Sequence, residues 1–74
     1  MAQQGEHLAP ETAILIRVLD AAWDEVAFAL ARSDLDPTRL RTLMALAIAA
    51  AIREGEGDPE RLKEIGLETI AAAY

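Results

Sequence analysis

The 74-residue chain has no cysteine, one histidine and one serine. Without thiols there are no disulfides and no thiolate metal sites. The lone histidine, His7, lies near one end of the sequence, so a histidine-rich metal site is excluded as well. Ser33 alone cannot build a Ser-His-Asp arrangement, and no Cys-His pair is available. Aromatic residues are equally scarce, with Trp23, Phe28 and Tyr74 the only ones. Basic residues are outnumbered, 7 against 13 acidic, for a formal net charge of −6. That field repels phosphate backbones and anionic lipid, so nucleic acid and membrane surfaces are poor partners. The longest apolar run, Leu43 to Ile52, is ten residues, about half of what crosses a bilayer. Met1 to Glu6 shows neither the positive region nor the apolar stretch of a secretory signal. Together with the missing cysteines, this makes the cytoplasm the expected compartment.

What is present is an apolar fraction of 53% beside 27% charged residues, the balance of a chain that folds. A chain this short buries a small share of its surface, and small proteins usually add disulfides, a metal, very regular helix packing or self-association. The first two are excluded here, which leaves helix packing and self-association.

Helical patterning covers most of the sequence. Residues 1–8 are polar, contain Gly5 and read as a flexible N-terminal arm; residues 9–74 read as one helical domain. Pro10 with Glu11 opens a first helix, about 10–32, with Leu8, Leu15, Leu19, Ala22, Val26 and Leu30 on one face, flanked by Ile16, Val18 and Trp23. Asp36-Pro37 opens a second, about 37–54, stopped by Gly55. Asp58-Pro59 opens a third, about 59–73, whose inward face is Leu62, Ile65, Gly66, Thr69, Ile70 and Ala73. No sustained alternation competes for strand. The predicted fold is all-α, three helices running up-down-up through short connections, and dimerising into a larger helical bundle. The second and third helices resemble each other: aligned from Asp36 and Asp58, 8 of 17 positions are identical, including Ile48-Ala49-Ala50-Ala51 against Ile70-Ala71-Ala72-Ala73. Asp-Pro as a general helix start and the abundance of alanine account for much of this, and a duplicated helix is the alternative.

Two helices are apolar over a wider arc than burial on one side requires. In the second, Leu40, Leu43, Met44, Ala47 and Ala51 make the expected stripe, while Leu46 and Ala50 widen it on one side and Ala45, Ile48 and Ile52 on the other. In the first, Ile14, Ala21 and Phe28 form a second apolar line at spacings of seven. The candidate interface is therefore Ile14, Ala21, Phe28, Leu46, Ile48, Ala50 and Ile52, surplus apolar surface of the kind that marks protein contacts. Alanines 45, 47, 49, 50 and 51, with Gly66, allow helix axes to approach closely. The expected assembly is a homodimer of four or six bundled helices with the second helix near the two-fold axis.

The chemistry-bearing side chains read as surface. Asp20 with Asp24, and the ladder Glu60, Glu64, Glu68, sit on the wet faces of their helices rather than in a cleft that separates their pKa values. The turn Glu54-Gly55-Glu56-Gly57-Asp58 lacks the spacing of a calcium or phosphate loop and acts as a helix stop followed by a helix start. Arg39, Arg41, Arg61 and Lys63 sit near helix starts and are expected to pair with Asp34, Asp36 or Glu64. Trp23 reads as the edge of the core. No motif for a cofactor occurs. The expected function is a non-enzymatic interaction or regulatory module acting as a homodimer, with a groove able to receive a partner helix. The alternatives are a helix-turn-helix DNA-binding regulator, opposed by the net charge, and a bundle that binds a small molecule in its core.

Overall fold

Each helix begins on a proline. In the computed structural model, which describes residues 9–73, α1 spans Pro10–Leu30, α2 spans Pro37–Arg53 and α3 spans Pro59–Ala73. Proline suits the first helical position because its φ is preset and the N–H it lacks would have no helical acceptor there. The Asp36 carboxylate accepts a hydrogen bond from the Thr38 N–H at 3.1 Å, and the Asp58 carboxylate accepts one from the Glu60 N–H at 3.0 Å. Each bond satisfies a donor that the first turn leaves open. Ala9, ahead of α1, makes no such bond. The expected arm, residues 1–8, lies outside the described residues, as do Leu8 and Tyr74.

The helix ends follow from local chemistry too. Gly55 adopts φ +103°, its N–H bonds the Ile52 carbonyl, and the Glu56 N–H bonds the Ala51 carbonyl, both at 3.0 Å. These two bonds close α2 through a left-handed glycine. At the end of α1 the N–H groups of Arg32 and Ser33 bond the carbonyls of Ala29 and Leu30, a tighter turn than the α-helix, so α1 stops two residues before the expected Arg32. The Ser33 hydroxyl donates to the Leu30 carbonyl at 2.9 Å and accepts from the Leu35 N–H at 3.2 Å, which turns the chain toward α2.

The described residues contain no strand, and every pair of helices is in contact. Their directions can be read from the side chains that meet. Asp20 bonds Arg41 while Leu15 shares a cleft with Ile52, so α1 and α2 are antiparallel. Gly66 lies on Met44 and Ile48 while Ile65 shares a cleft with Ala51. Glu25 pairs with Lys63, and Val26 and Leu30 meet Leu67 and Ile70, so α1 and α3 run the same way. The arrangement is up-down-up.

The core consists of Val18, Ala22 and Leu30 from α1, Leu40, Met44 and Ile48 from α2, and Leu62 and Ile70 from α3, with Gly66 buried among them. Ile14, Leu15, Leu19, Trp23, Val26, Ile52 and Ile65 pack against its margin. In α2 and α3 the buried residues recur every fourth position, and the two ladders, 40-44-48 and 62-66-70, are 22 residues apart, the same offset as the repeated Asp-Pro. At the middle rung the ladders differ in size, Met44 against Gly66. A Cβ on Gly66 would stand 3.0 Å from both Met44 Cγ and Ile48 Cδ1. Glycine in mid-helix costs about 1 kcal/mol relative to alanine; here it gives α3 its close seat on α2. No buried side-chain nitrogen or oxygen among the described residues lacks a partner, and the Thr69 hydroxyl donates to the Ile65 carbonyl at 2.9 Å.

Candidate protein interface

On α2 no charged residue occurs in the eleven positions between Arg41 and Arg53. Two neighbours cover only part of that length. α1 and α3 enclose the arc holding Leu40, Met44 and Ile48, with Ala51 and Ile52 at its edges. At about 100° per residue, the side facing directly away from that arc is centred on Leu46, which is 61% exposed. Leu43 lies beside it at 38%, and Ala49 and Ala50, half-buried, continue the face toward the C-terminal end. Arg39 and Thr42 at one end and Arg53 at the other frame it, all three exposed. The face is thus an apolar strip in water with a cation at each end.

The expected interface residues do not form one surface. Leu46 lies at the centre of the strip and Ala50 at its margin. Ala21 and Phe28 are exposed on α1, Phe28 at 74%, with the Arg32 guanidinium 5.6 Å from the centre of its ring. Ile14 and Ile52 are half-buried against the margin of the core. Ile48 is corrected: it is 0% exposed and sits under Gly66, a core residue of its own chain. The physical cause is a rotation of α2. The expected stripe centred on Leu43 and Ala47 is turned so that Ile48 faces inward and Leu43 outward, because α1 and α3 straddle the Leu40-Met44-Ile48 ladder. Ile16, expected to flank the buried face of α1, is 45% exposed and is a surface residue that sequence reasoning missed. For Ile48 a signal existed: it aligns with Ile70, a residue already on the inward face of the third helix.

The charged side chains are arranged differently from the strip. Arg41 bonds Asp20 at 2.7 Å, and its guanidinium lies 5.5 Å from the centre of the Trp23 ring, so one side chain ties α2 to α1 by charge and by its flat face. Lys63 pairs with Glu25 across α1 and α3, and that hydrogen bond raises the ammonium pKa above its ordinary value. Arg61 bonds Glu64 at 3.1 Å and reaches Glu68 at 3.4 Å, and the bond to Glu64 is the main cause of its raised pKa. Of the expected pairings only Arg61 with Glu64 forms as read; Arg41 and Lys63 are held instead by carboxylates of α1. Arg39 and Arg53 take part in none of the ion pairs among the described residues.

The clefts between the helices are shallow. One, of about 300 Å³, lies between the start of α1 and the end of α2, against Leu15, Ala49 and Ile52. Another, about 210 Å³ and almost wholly apolar, lies between α1 and α3 against Val26, Leu30, Leu67 and Ile70. No group of three or more His, Cys, Asp or Glu side chains among the described residues is placed to hold a metal ion, and no helix there is long and apolar enough to cross a membrane. Compared with protein-family models, curated proteins and solved structures, the chain matches none.

Proposed function

We propose that this chain is a non-enzymatic protein-interaction module that works as a homodimer, with the outer face of α2 as its contact surface. The observation that supports this most is the position of Leu46. It is at the centre of three helical turns without a charge, on the side of α2 that no other helix of the chain covers. A soluble helix with one wet face normally carries charge there, so an apolar strip in that place favours a protein contact. The DNA-binding alternative is weakened because three of the four cations near helix starts, Arg41, Arg61 and Lys63, are held by carboxylates of the same chain. Ligand binding in an apolar site is weakened because the almost wholly apolar cleft between α1 and α3, about 210 Å³, falls below the usual range of small-molecule pockets, which begins at roughly 300 Å³. The clefts of about 300 and 390 Å³ are lined in part by charged side chains, Glu11 and Arg53 in one and Glu54, Glu56 and Arg61 in the other.

Light scattering on a sizing column tests the reading across a concentration series. The mass is expected to climb from 8.0 kDa toward twice that value as concentration rises. A mass fixed at the monomer value throughout would defeat the homodimer.

A further inference from the structure

We infer that Tyr74, the residue that follows α3, closes the apolar cleft between α1 and α3 with its ring, laid back over Ile70 and Ala71 against Leu30. Tyr74 lies outside the described residues, and three observations on the residues before it lead there. None of them depends on the homodimer.

The first is the cleft. It measures about 210 Å³ and is lined by Val26, Ala29 and Leu30 of α1 and by Leu67, Ile70 and Ala71 of α3. No charged side chain among the described residues lines it, unlike the other two clefts. An apolar cavity of about 150 Å³ stays dry and accepts a benzene ring. This cleft therefore has room for one aromatic ring and little more.

The second is register. Leu67, Ile70 and Ala71 precede Tyr74 by seven, four and three residues. Positions so spaced share a helix face, and at about 100° per residue Tyr74 falls inside the arc that the three lining residues span. α3 is still helical at Ala73, so a single further residue in the same conformation sets the Tyr74 side chain on that face. A long side chain on a helix slants toward the N-terminus and covers the turn before its own Cα. Here that turn carries Ile70 and Ala71, and α1, which runs the same way as α3, ends beside it at Leu30.

The third is the 22-residue offset, which includes α1. Val18, Ala22 and Val26 fall on Leu40, Met44 and Ile48 of α2, and like them lie in the core or against it. Four residues further, the next rung is Leu30 in α1, 2% exposed, and Ile52 in α2, packed against the margin of the core. The same rung of α3 is Tyr74. In both helices where that rung is described it packs inward. Tyrosine suits an open-sided place of this kind, because its ring is covered while its hydroxyl stays in water.

Tyr74 is the only tyrosine, so its ring protons are assigned directly by NMR. The test is nuclear Overhauser contact in the full chain at a concentration where the mass is 8.0 kDa. The Tyr74 ring protons should reach the Leu30 methyl groups, whose resonances should move downfield in Tyr74→Ala as the ring current is lost. Contacts to Ile70 and Ala71 alone, or none, overturn the inference, since α3 supplies those without closing the cleft. Urea titration gives a second reading. Tyr74→Ala should lower the unfolding midpoint and Tyr74→Phe should keep it. Benzene should restore part of the loss in Tyr74→Ala and leave the parent unchanged. A midpoint unmoved by Tyr74→Ala, or lowered as far by Tyr74→Phe, contradicts closure by the ring. Benzene that shifts the Leu30 methyl groups of the parent would show a cleft open to ligands. Contacts that appear only as the mass rises would show a ring supplied by a second copy, and either result overturns the inference.

Discussion

α2 and α3 are two versions of one helix that differ at the middle of their outer faces. Both start on Asp-Pro, both receive an aspartate cap, and both bury a ladder at every fourth residue, 22 positions apart. Outside, they diverge. The residue of α3 equivalent to Leu46 is Glu68, whose side chain is 67% exposed and accepts a bond from Arg61. The residue equivalent to Thr42 is Glu64, also bonded to Arg61. α3 thus wears the solvated, charge-laced face expected of a helix with one wet side. At those two positions α2, with the same core register, has Leu46 and Thr42, while Leu43, Ala49 and Ala50 match Ile65, Ala71 and Ala72 of α3 and are apolar in both. Helix formation and core packing therefore do not require the exposed Leu46, because α3 achieves both with a glutamate at the equivalent position. Under the proposed function, a contact with another molecule accounts for it.

The ladders are where the two helices should behave alike, and where the largest effect is expected. Ile48→Ala and Ile70→Ala each remove a buried side chain at equivalent rungs, and each should lower unfolding free energy by about 2–4 kcal/mol in urea titration. If Ile48→Ala cost no more than a surface change, the rotation of α2 that buries it would be wrong. The middle rungs are where the ladders should differ. Gly66→Val forces a branched side chain onto Met44 and Ile48 and should cost about 1–3 kcal/mol, whereas a well-tolerated valine would contradict the close approach of the two helices. Smaller again are the caps. Asp36→Ala and Asp58→Ala should each lose about 1 kcal/mol, and roughly equally, since each carboxylate holds one N–H of its first turn.

The smallest effect belongs to the charged link between α3 and α1. Lys63 has a raised folded pKa through Glu25. Its contribution is fully present below the unfolded lysine value and is lost as pH rises through the raised folded value, so it is constant at neutral pH and fades only in alkali. Lys63→Gln should lower the neutral plateau of a stability-pH profile by a small, constant amount and flatten its alkaline limb. A loss confined to acidic pH would mean that the pairing with Glu25 is not what raises the pKa.

Much of this fold could be read from residues with local meaning. Asp36-Pro37, Asp58-Pro59 and Gly55 mark where α2 and α3 begin and where α2 ends, because a cap, a preset φ and a left-handed turn depend on a few adjacent atoms. The end of α1 was harder, since Ala31 and Arg32 suit a helix and only the bonds around Ser33 show the tighter turn. The rotation of α2 was not legible from its own pattern. With apolar residues in nearly every direction, a wheel has no preferred face, and Leu43 and Ile48 exchange places according to where α1 and α3 lie. The information was in α3, whose charged face leaves its inward rungs unambiguous and whose alignment carries Ile70 onto Ile48. Leu46 and Ala50 were legible as surplus for the same reason that Ile48 was misplaced: the pattern shows that the apolar arc is too wide, and only the packing shows which edge is left over. Ile16 and Phe28 lie on α1, outside that comparison.

The measurement that bears most directly on the outer face of α2 is the concentration dependence of mass for the parent chain beside Leu46→Glu, the substitution that gives α2 the type of residue α3 already carries at the equivalent position. Because Leu46 is 61% exposed, the variant should keep its helical circular dichroism and its unfolding midpoint at low concentration. The parent should rise toward twice 8.0 kDa while Leu46→Glu stays at the monomer value over the same range. A variant that associates as well as the parent would show that the contact lies elsewhere and would contradict the account.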